Sequence, residues 1–236
     1  AVGGMPVQYA VSAGAGPWGP ALPLYIGVAL LASLAAVIYV NLLPRLKALW
    51  LNVKLPFWAR AALAGALVGV VGIWLPDVFG TGLSQMKSIF AGTGYPFAML
   101  IALLLAKIIL TPNSLGAGFV GGVIGPALLI GSALGAAYGD VVAQALPGVH
   151  VSPTAFAMVA TAAMLAGTFH APLFGAMMIF EMCSDYGMLF PLMLGAAIGY
   201  VVARRFQPGS AYTFTFPGLG IHLEPGTFTV RIDEHD

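Results

Sequence analysis

The chain has 236 residues, of which 60% are hydrophobic and only 7% charged, and its mean hydropathy is +0.96. Soluble domains carry about 25% charged residues, so the composition excludes a soluble globular domain and reads as an integral membrane protein. The net charge of +1 gives no electrostatic case for nucleic acid. The single cysteine, Cys183, excludes an intrachain disulfide framework.

Residues 1–20 are rich in Gly, Pro and Ala and read as a loop. The chain opens on Ala1 without a charged-then-apolar signal pattern, which fits a fragment of a longer protein. Ala21 to Leu43 is the longest apolar segment, long enough for a hydrocarbon core of about 30 Å. Arg45, Lys47, Lys54 and Arg60 follow, four of the nine basic residues, with Trp50, Phe57 and Trp58 among them. This predicts a cytoplasmic basic loop over 45–60 with interfacial aromatics. Ala61 to Leu75 is the second apolar segment. Its Gly65, Gly69 and Gly72 have the spacing of a close helix–helix seam.

Pro76-Asp77 ends that segment, and the glycines of 80–94 leave room for one short helix. Pro96 to Leu110 is the third segment, with a break expected at Pro112. A helix to about Tyr138, a loop from Asp140 to Pro153, and segments Thr154–Thr168, Pro172–Met182 and Gly187–Ala203 follow. Arg204 and Arg205 close the series, again on the cytoplasmic side by charge. The shorter segments reach about 16 to 23 Å, so partial or tilted helices are expected. Short segments interrupted by Gly or Pro point to a transporter binding site near the midplane. Ser210–Phe216 and Thr227–Ile232 alternate polar and apolar residues, which suits extended structure, and Asp233, Glu234 and Asp236 make an acidic tail.

The most informative stretch is Gly116 to Gly131, which contains Gly118, Gly121, Gly122, Gly125 and Pro126 and then turns apolar. It reads as a loop feeding a helix that starts between Ile124 and Pro126. The free N–H groups of such a start form an anion site, and in apolar surroundings they need a partner. A tight helix crossing that requires glycine is the alternative reading of the same residues.

The order of motifs resembles the second half of the CLC chloride channels and proton-coupled chloride exchangers. Gly121-Gly122-Val123-Ile124-Gly125-Pro126 resembles the G-x-F-x-P segment of that family. Lys107 to Thr111 is similar to its basic residue and threonine upstream. Met164–Leu173 resembles the stretch ending in Ala-Pro-Leu, Ile179–Met182 its Glu-Met pair, Leu189–Met193 the next segment, and Ser210-Ala211-Tyr212 the place of the pore tyrosine. The resemblance covers roughly 21–216. It implies an all-α polytopic fold of inverted repeats with broken, tilted helices, of which this chain is the second half. Residues 21–205 would form the partial transmembrane domain, and 206–236 the pore-tyrosine segment and cytoplasmic tail. The implied function is transport of chloride or a similar small anion, in a homodimer with one pore per subunit.

By the same resemblance the anion binds the backbone of Val123 and Ile124, with Gly125 nearby, and the hydroxyl of Tyr212. The sequence departs from the family at Ile124, where the family usually has Phe. The first-half motifs G-S-G-I-P and G-x-E-G-P are not among these residues, so half of the ion site is expected outside this chain, or absent.

Other residues carry competing readings. Lys107 is either a pathway charge or a structural one that snorkels or pairs. Glu181 is an intramembrane acid, functional by default, to which the resemblance gives a packing and hydrogen-bonding role. Asp185 reads as a cap, and His170 as a hydrogen-bonded turn residue rather than a metal ligand, since no second ligand stands at metal spacing. Tyr212 also fits an ordinary interfacial tyrosine. No cofactor beyond the transported ion, no metal and no catalytic residue is expected. Two rivals remain: a non-transporting scaffold of the same fold, and an intramembrane enzyme using Glu181, Asp185 and His170.

Overall fold

The computed structural model describes residues 21–92, 94–146, 152–207, 209–215, 221–223 and 230–232. The expected loop over 1–20 and the acidic end at Asp233, Glu234 and Asp236 lie outside the described residues. Within them run α1 (Leu22–Asn52), α2 (Phe57–Trp74), α3 (Leu83–Phe90), α4 (Phe97–Ala117), α5 (Ile124–Ala145), α6 (Pro153–Phe169), α7 (Pro172–Cys183), α8 (Leu189–Phe206) and α9 (Ala211–Thr215). Single 3-10 turns stand at Pro76–Val78 and Tyr186–Met188. One antiparallel pair of short strands, β1 (Ile221–Leu223) and β2 (Val230–Ile232), completes the description. Five helices are long and apolar enough to cross a membrane: α1, α2, α4, α5, and α8 together with the turn before it. The all-α polytopic expectation holds.

The centre of the bundle is α6, in which every residue from Ala155 to Phe169 is buried. Ala and Gly make this possible, because small side chains let neighbouring backbones approach. On α5, Gly131, Gly135 and Gly139 face α6 at four-residue spacing. A Cβ on Gly131 would stand 2.6 Å from Cα of Thr161, one on Gly135 2.5 Å from Cα of Ala157, and one on Gly139 2.6 Å from Cα of Pro153. Rising numbers on α5 meet falling numbers on α6, so the two helices are antiparallel.

On its other side α6 runs parallel to α8, since Gly195 faces Val159 and Ala203 faces Gly167. It also runs parallel to α1: Tyr25 packs on Phe156, and Ala36 faces Gly167. Arg45 and Lys47, further along α1, therefore share one end of the bundle with Arg204 and Arg205. The buried hydroxyls of Ser33, Ser132 and Thr161 bond back to their own helix backbone, Thr161 to the carbonyl of Ala157 at 2.6 Å.

Several sequence expectations are corrected. Helix α1 continues through Pro44 and carries Arg45 and Lys47, and α2 begins at Phe57 and carries Arg60, so the basic loop over 45–60 shrinks to a link at 53–56. Pro112 lies inside α4. Helix α5 runs past Tyr138 and Asp140 to Ala145. With these extensions α2, α4 and α5 reach 18, 21 and 22 residues, while α6 and α7 stay at 17 and 12. The glycines of α2 do not form a helix seam: Gly69 has nothing within 4 Å, and Gly65 and Gly72 face the rings of Phe119 and Phe79. Residues 211–215, expected as extended, form the helix α9, whereas 230–232 pairs as a strand.

Candidate anion site

Helix α4 ends in a left-handed glycine, Gly118 with φ +108°. Its amide donates to the carbonyl of Leu115 at 3.2 Å, and the amide of Phe119 donates to that of Ser114 at 3.1 Å. This paired pattern closes a helix C-terminus and favours glycine. Here a side chain is excluded twice, because the ring of Phe57 fills the space where a Cβ would stand.

The chain then crosses Phe119 to Gly122 without regular structure and enters α5 at Ile124. Val123 is the cap residue, and no side chain caps the start. The first main-chain bond at this end is made by Ala127, to the carbonyl of Val123 at 3.2 Å. The amides from Val120 to Gly125 have no acceptor among the described residues. Pro126 is the third residue of the helix, where its missing N–H costs nothing. Gly125 is held from behind: a Cβ there would stand 2.7 Å from the carbonyl oxygen of Thr81. A helix start with unpaired N–H groups and the positive end of the macrodipole is a site for negative charge.

The antiparallel register of α5 on α6 places this start within the bundle. Gly139 meets Pro153, Gly135 meets Ala157 and Gly131 meets Thr161. Continued by the same step, Val123 comes level with Phe169. The ring of Phe169 packs on that of Tyr212 with centroids 5.1 Å apart. Tyr212 sits on α9, which packs against α1 and α6, and is 45% exposed. The start of α5 and Tyr212 thus lie at one level of the molecule, that of the end of α6.

The remaining residues fall apart in space. Lys107, on α4, is buried and donates to the carbonyl of Gly80 at 2.7 Å. Glu181 is exposed near the end of α7, beside a shallow cavity of about 320 Å³ with Phe180 and Tyr186. Asp185 stands beyond the end of α7, past the left-handed Ser184, and accepts from the amide of Gly187 at 2.8 Å. It is a cap, as its sequence suggests, and it does not share a helix face with Glu181. His170 is the left-handed residue between α6 and α7 and lies 3.2 Å from the side-chain nitrogen of Gln207, as a turn residue would. Among the described residues no hydrogen bond joins these three groups, and there is no cluster of metal-binding side chains.

Two features escape the sequence reading. Thr81 braces the start of α5 and the carbonyl of Gly80 holds Lys107, with no motif to announce either. Ser114 lies on the same cavity wall as Lys107 and Thr111. The spacing of these three is that of one helix face, concealed when Pro112 is taken as a helix end.

Comparison with known proteins follows the same line. The profile of the voltage gated chloride channel family matches residues 2–204, and the chain belongs to this family. A Ralstonia nicotianae protein described as chloride channel protein ClcB-like is 37% identical over 188 residues, which is 80% of this chain and 44% of the relative. The voltage-gated ClC-type chloride channel ClcB of Escherichia coli O81 is 33% identical over 191 residues, covering 80% of this chain and 45% of that one. The solved structure of a slow cyanobacterial Cl−/H+ antiporter shares the fold, with a TM-score of 0.76 at 21% identity, over 87% of this chain and 48% of its own. The chain therefore spans under half the length of these relatives. The family is one of transporters, which sets the intramembrane enzyme aside.

Proposed function

We propose that this chain forms one side of a CLC-type pathway for chloride or a similar small monovalent anion. The observation that carries the reading is the run of unpaired amides from Val120 to Gly125 at the start of α5. In this reading the amides of Val123 and Ile124, with Gly125 beside them, replace water around the anion, and the hydroxyl of Tyr212 completes the inner end. The shared level of the α5 start and Tyr212 supports that assignment. The positive helix end stabilises the bound charge while leaving it weak enough to release. Gly118 lets the chain turn out of α4, Gly121 and Gly122 keep the loop free of side chains, and Pro126 stands in the first turn of α5. Residues of the complete protein outside this chain supply the other side of the site. The homodimer with one pore per subunit belongs to the same proposal. So does the orientation that puts the shared basic end of α1 and α8 in the cytoplasm, in keeping with the positive-inside rule.

The test is anion flux from liposomes holding the complete protein, with and without a pH gradient, beside Tyr212→Ala and Val123→Pro. Both variants are expected to reduce flux at preserved folded yield, the proline by deleting one N–H donor. Chloride flux that drives protons defines an exchanger, and flux without proton movement defines a channel. Absence of halide flux from well-folded protein defeats the transport reading and leaves the scaffold.

A further inference from the structure

Helices α1, α6 and α8 meet at Gly167. A Cβ placed there would stand 3.0 Å from Cβ of Ala36, 3.2 Å from the carbonyl oxygen of Gly199 and 3.3 Å from Cβ of Ala203. Tyr39 lies three residues past Ala36 on α1, and Gln207 four past Ala203 at the end of α8. Those spacings keep each residue on the face that meets α6. Both helices run parallel to α6, so Tyr39 and Gln207 come level with its last turn, where Thr168 stands next to Gly167. The bond from Gln207 Nε2 to the carbonyl of Gly167 at 3.0 Å fixes the meeting on the α8 side.

These three side chains are sealed from solvent: Tyr39 and Thr168 are 0% exposed and Gln207 is 1% exposed. Each ends in a buried polar atom without a hydrogen-bond partner among the described residues, namely the two hydroxyls and Gln207 Oε1. Thr168 is informative because Ser33, Ser132 and Thr161, equally buried, turn their hydroxyls back onto their own helix, and Thr168 does not. Gln207 is pinned through its nitrogen, which donates to Gly167 and lies 3.2 Å from Nε2 of His170. Its two N–H groups are then committed, and the oxygen left over can only accept. Buried polar groups are nearly always paired, by ordered water where no protein group serves. A buried water makes about three hydrogen bonds. Two hydroxyls and one carbonyl oxygen, brought to one level by three helices, are a set of partners of that kind.

We propose that one ordered water is bound here, between α1, α6 and the end of α8. It donates to Gln207 Oε1, accepts from the hydroxyl of Tyr39 and shares a third hydrogen bond with the hydroxyl of Thr168. The water ties the end of α8 to α1 and α6 just before α9, which packs on the same two helices. The site uses none of the residues assigned to the anion and does not depend on that assignment.

The test is a crystal structure of the complete protein at a resolution that shows ordered water. A single peak is expected within about 3.2 Å of Tyr39 Oη, Thr168 Oγ1 and Gln207 Oε1. Thr168→Val keeps the shape and removes the hydroxyl, and should cut the occupancy of the peak to under about half; Thr168→Ser should keep it. In thermal unfolding, Tyr39→Phe combined with Thr168→Val should lower the midpoint by less than the two single shifts added together, because the first loss already frees the water. If Tyr39→Phe does not fold, the two Thr168 variants decide. Direct hydrogen bonds among the three groups, with no peak between them, overturn the proposal. A peak at full occupancy in Thr168→Val, or midpoint shifts that add, overturn it as well.

Discussion

Replacing Gly131 by alanine tests the packing that aims α5. The added Cβ would stand 2.6 Å from Cα of Thr161, 3.1 Å from Cβ of Met164 and 3.2 Å from the carbonyl oxygen of Ala160. The nearest obstacle is backbone, which no rotamer change removes. Ordinary carbon contacts begin near 3.5 Å, so α5 and α6 must part by about 1 Å at this point. Overpacking of this kind costs about 1–3 kcal/mol, and the upper half of that range is expected because all three neighbours are main chain or Cβ. Gly69→Ala is the control: nothing lies within 4 Å of its Cβ, and helix propensity favours alanine there by up to about 1 kcal/mol. Equilibrium unfolding in mixed detergent micelles, read by helicity, should separate the two variants by about 3 kcal/mol. Chloride flux should fall for Gly131→Ala and not for Gly69→Ala, because only the first displaces the helix that carries the amides. Equal stability of the two variants, or a larger loss at Gly69, would refute the backbone-to-backbone account.

Further outcomes follow from contacts described here. Gly118→Ala meets both a left-handed backbone and the Phe57 ring; a loss above about 1 kcal/mol in the same unfolding assay is expected, and Gly118→Asn should be no better because the ring leaves no room. Gln207→Leu removes the donor that holds the carbonyl of Gly167 at 3.0 Å in a buried setting, with an expected loss of about 1–3 kcal/mol, whereas Gln207→Glu should also be destabilising because it offers no N–H. Trp50→Phe removes the hydrogen bond from the indole to Asn113 Oδ1 at 3.0 Å, which ties α1 to α4; thermal unfolding should register a loss of about 1 kcal/mol.

The helices themselves were legible because apolar runs and their glycine and proline punctuation are local signals. Pro112 is expected to break its segment, and the first apolar segment is ended at Leu43, just before Pro44. Each proline lies inside a helix that continues past it, which the residue type alone does not announce. The glycines of α2 and α5 show a second limit. Both sets have small-residue spacing, yet among the described residues the α2 glycines meet no other backbone while Gly131, Gly135 and Gly139 do, and nothing local to either segment tells which helix face has a partner. At the candidate anion site the loop from Gly118 and the start at Ile124 could be read directly. The brace from Thr81 and the wall of Lys107, Thr111 and Ser114 depend on contacts far apart in the chain or on a helix that the proline concealed. Residues 211–215 alternate as a strand would, but coil into α9 where they pack on α1 and α6.

The glycine contacts along α5 also have a mechanical meaning. With Gly131, Gly135 and Gly139 seated on main-chain atoms of Thr161, Ala157 and Pro153, the two helices mesh like a rack. Sliding either one by a fraction of a turn would drive side chains into backbone. Helices α5 and α6 must therefore travel as one body, and the amides at the start of α5 act as a stator. Any motion that opens or closes a route past them falls to parts without such teeth, and α9, five residues long and carrying the half-exposed Tyr212, is one of them.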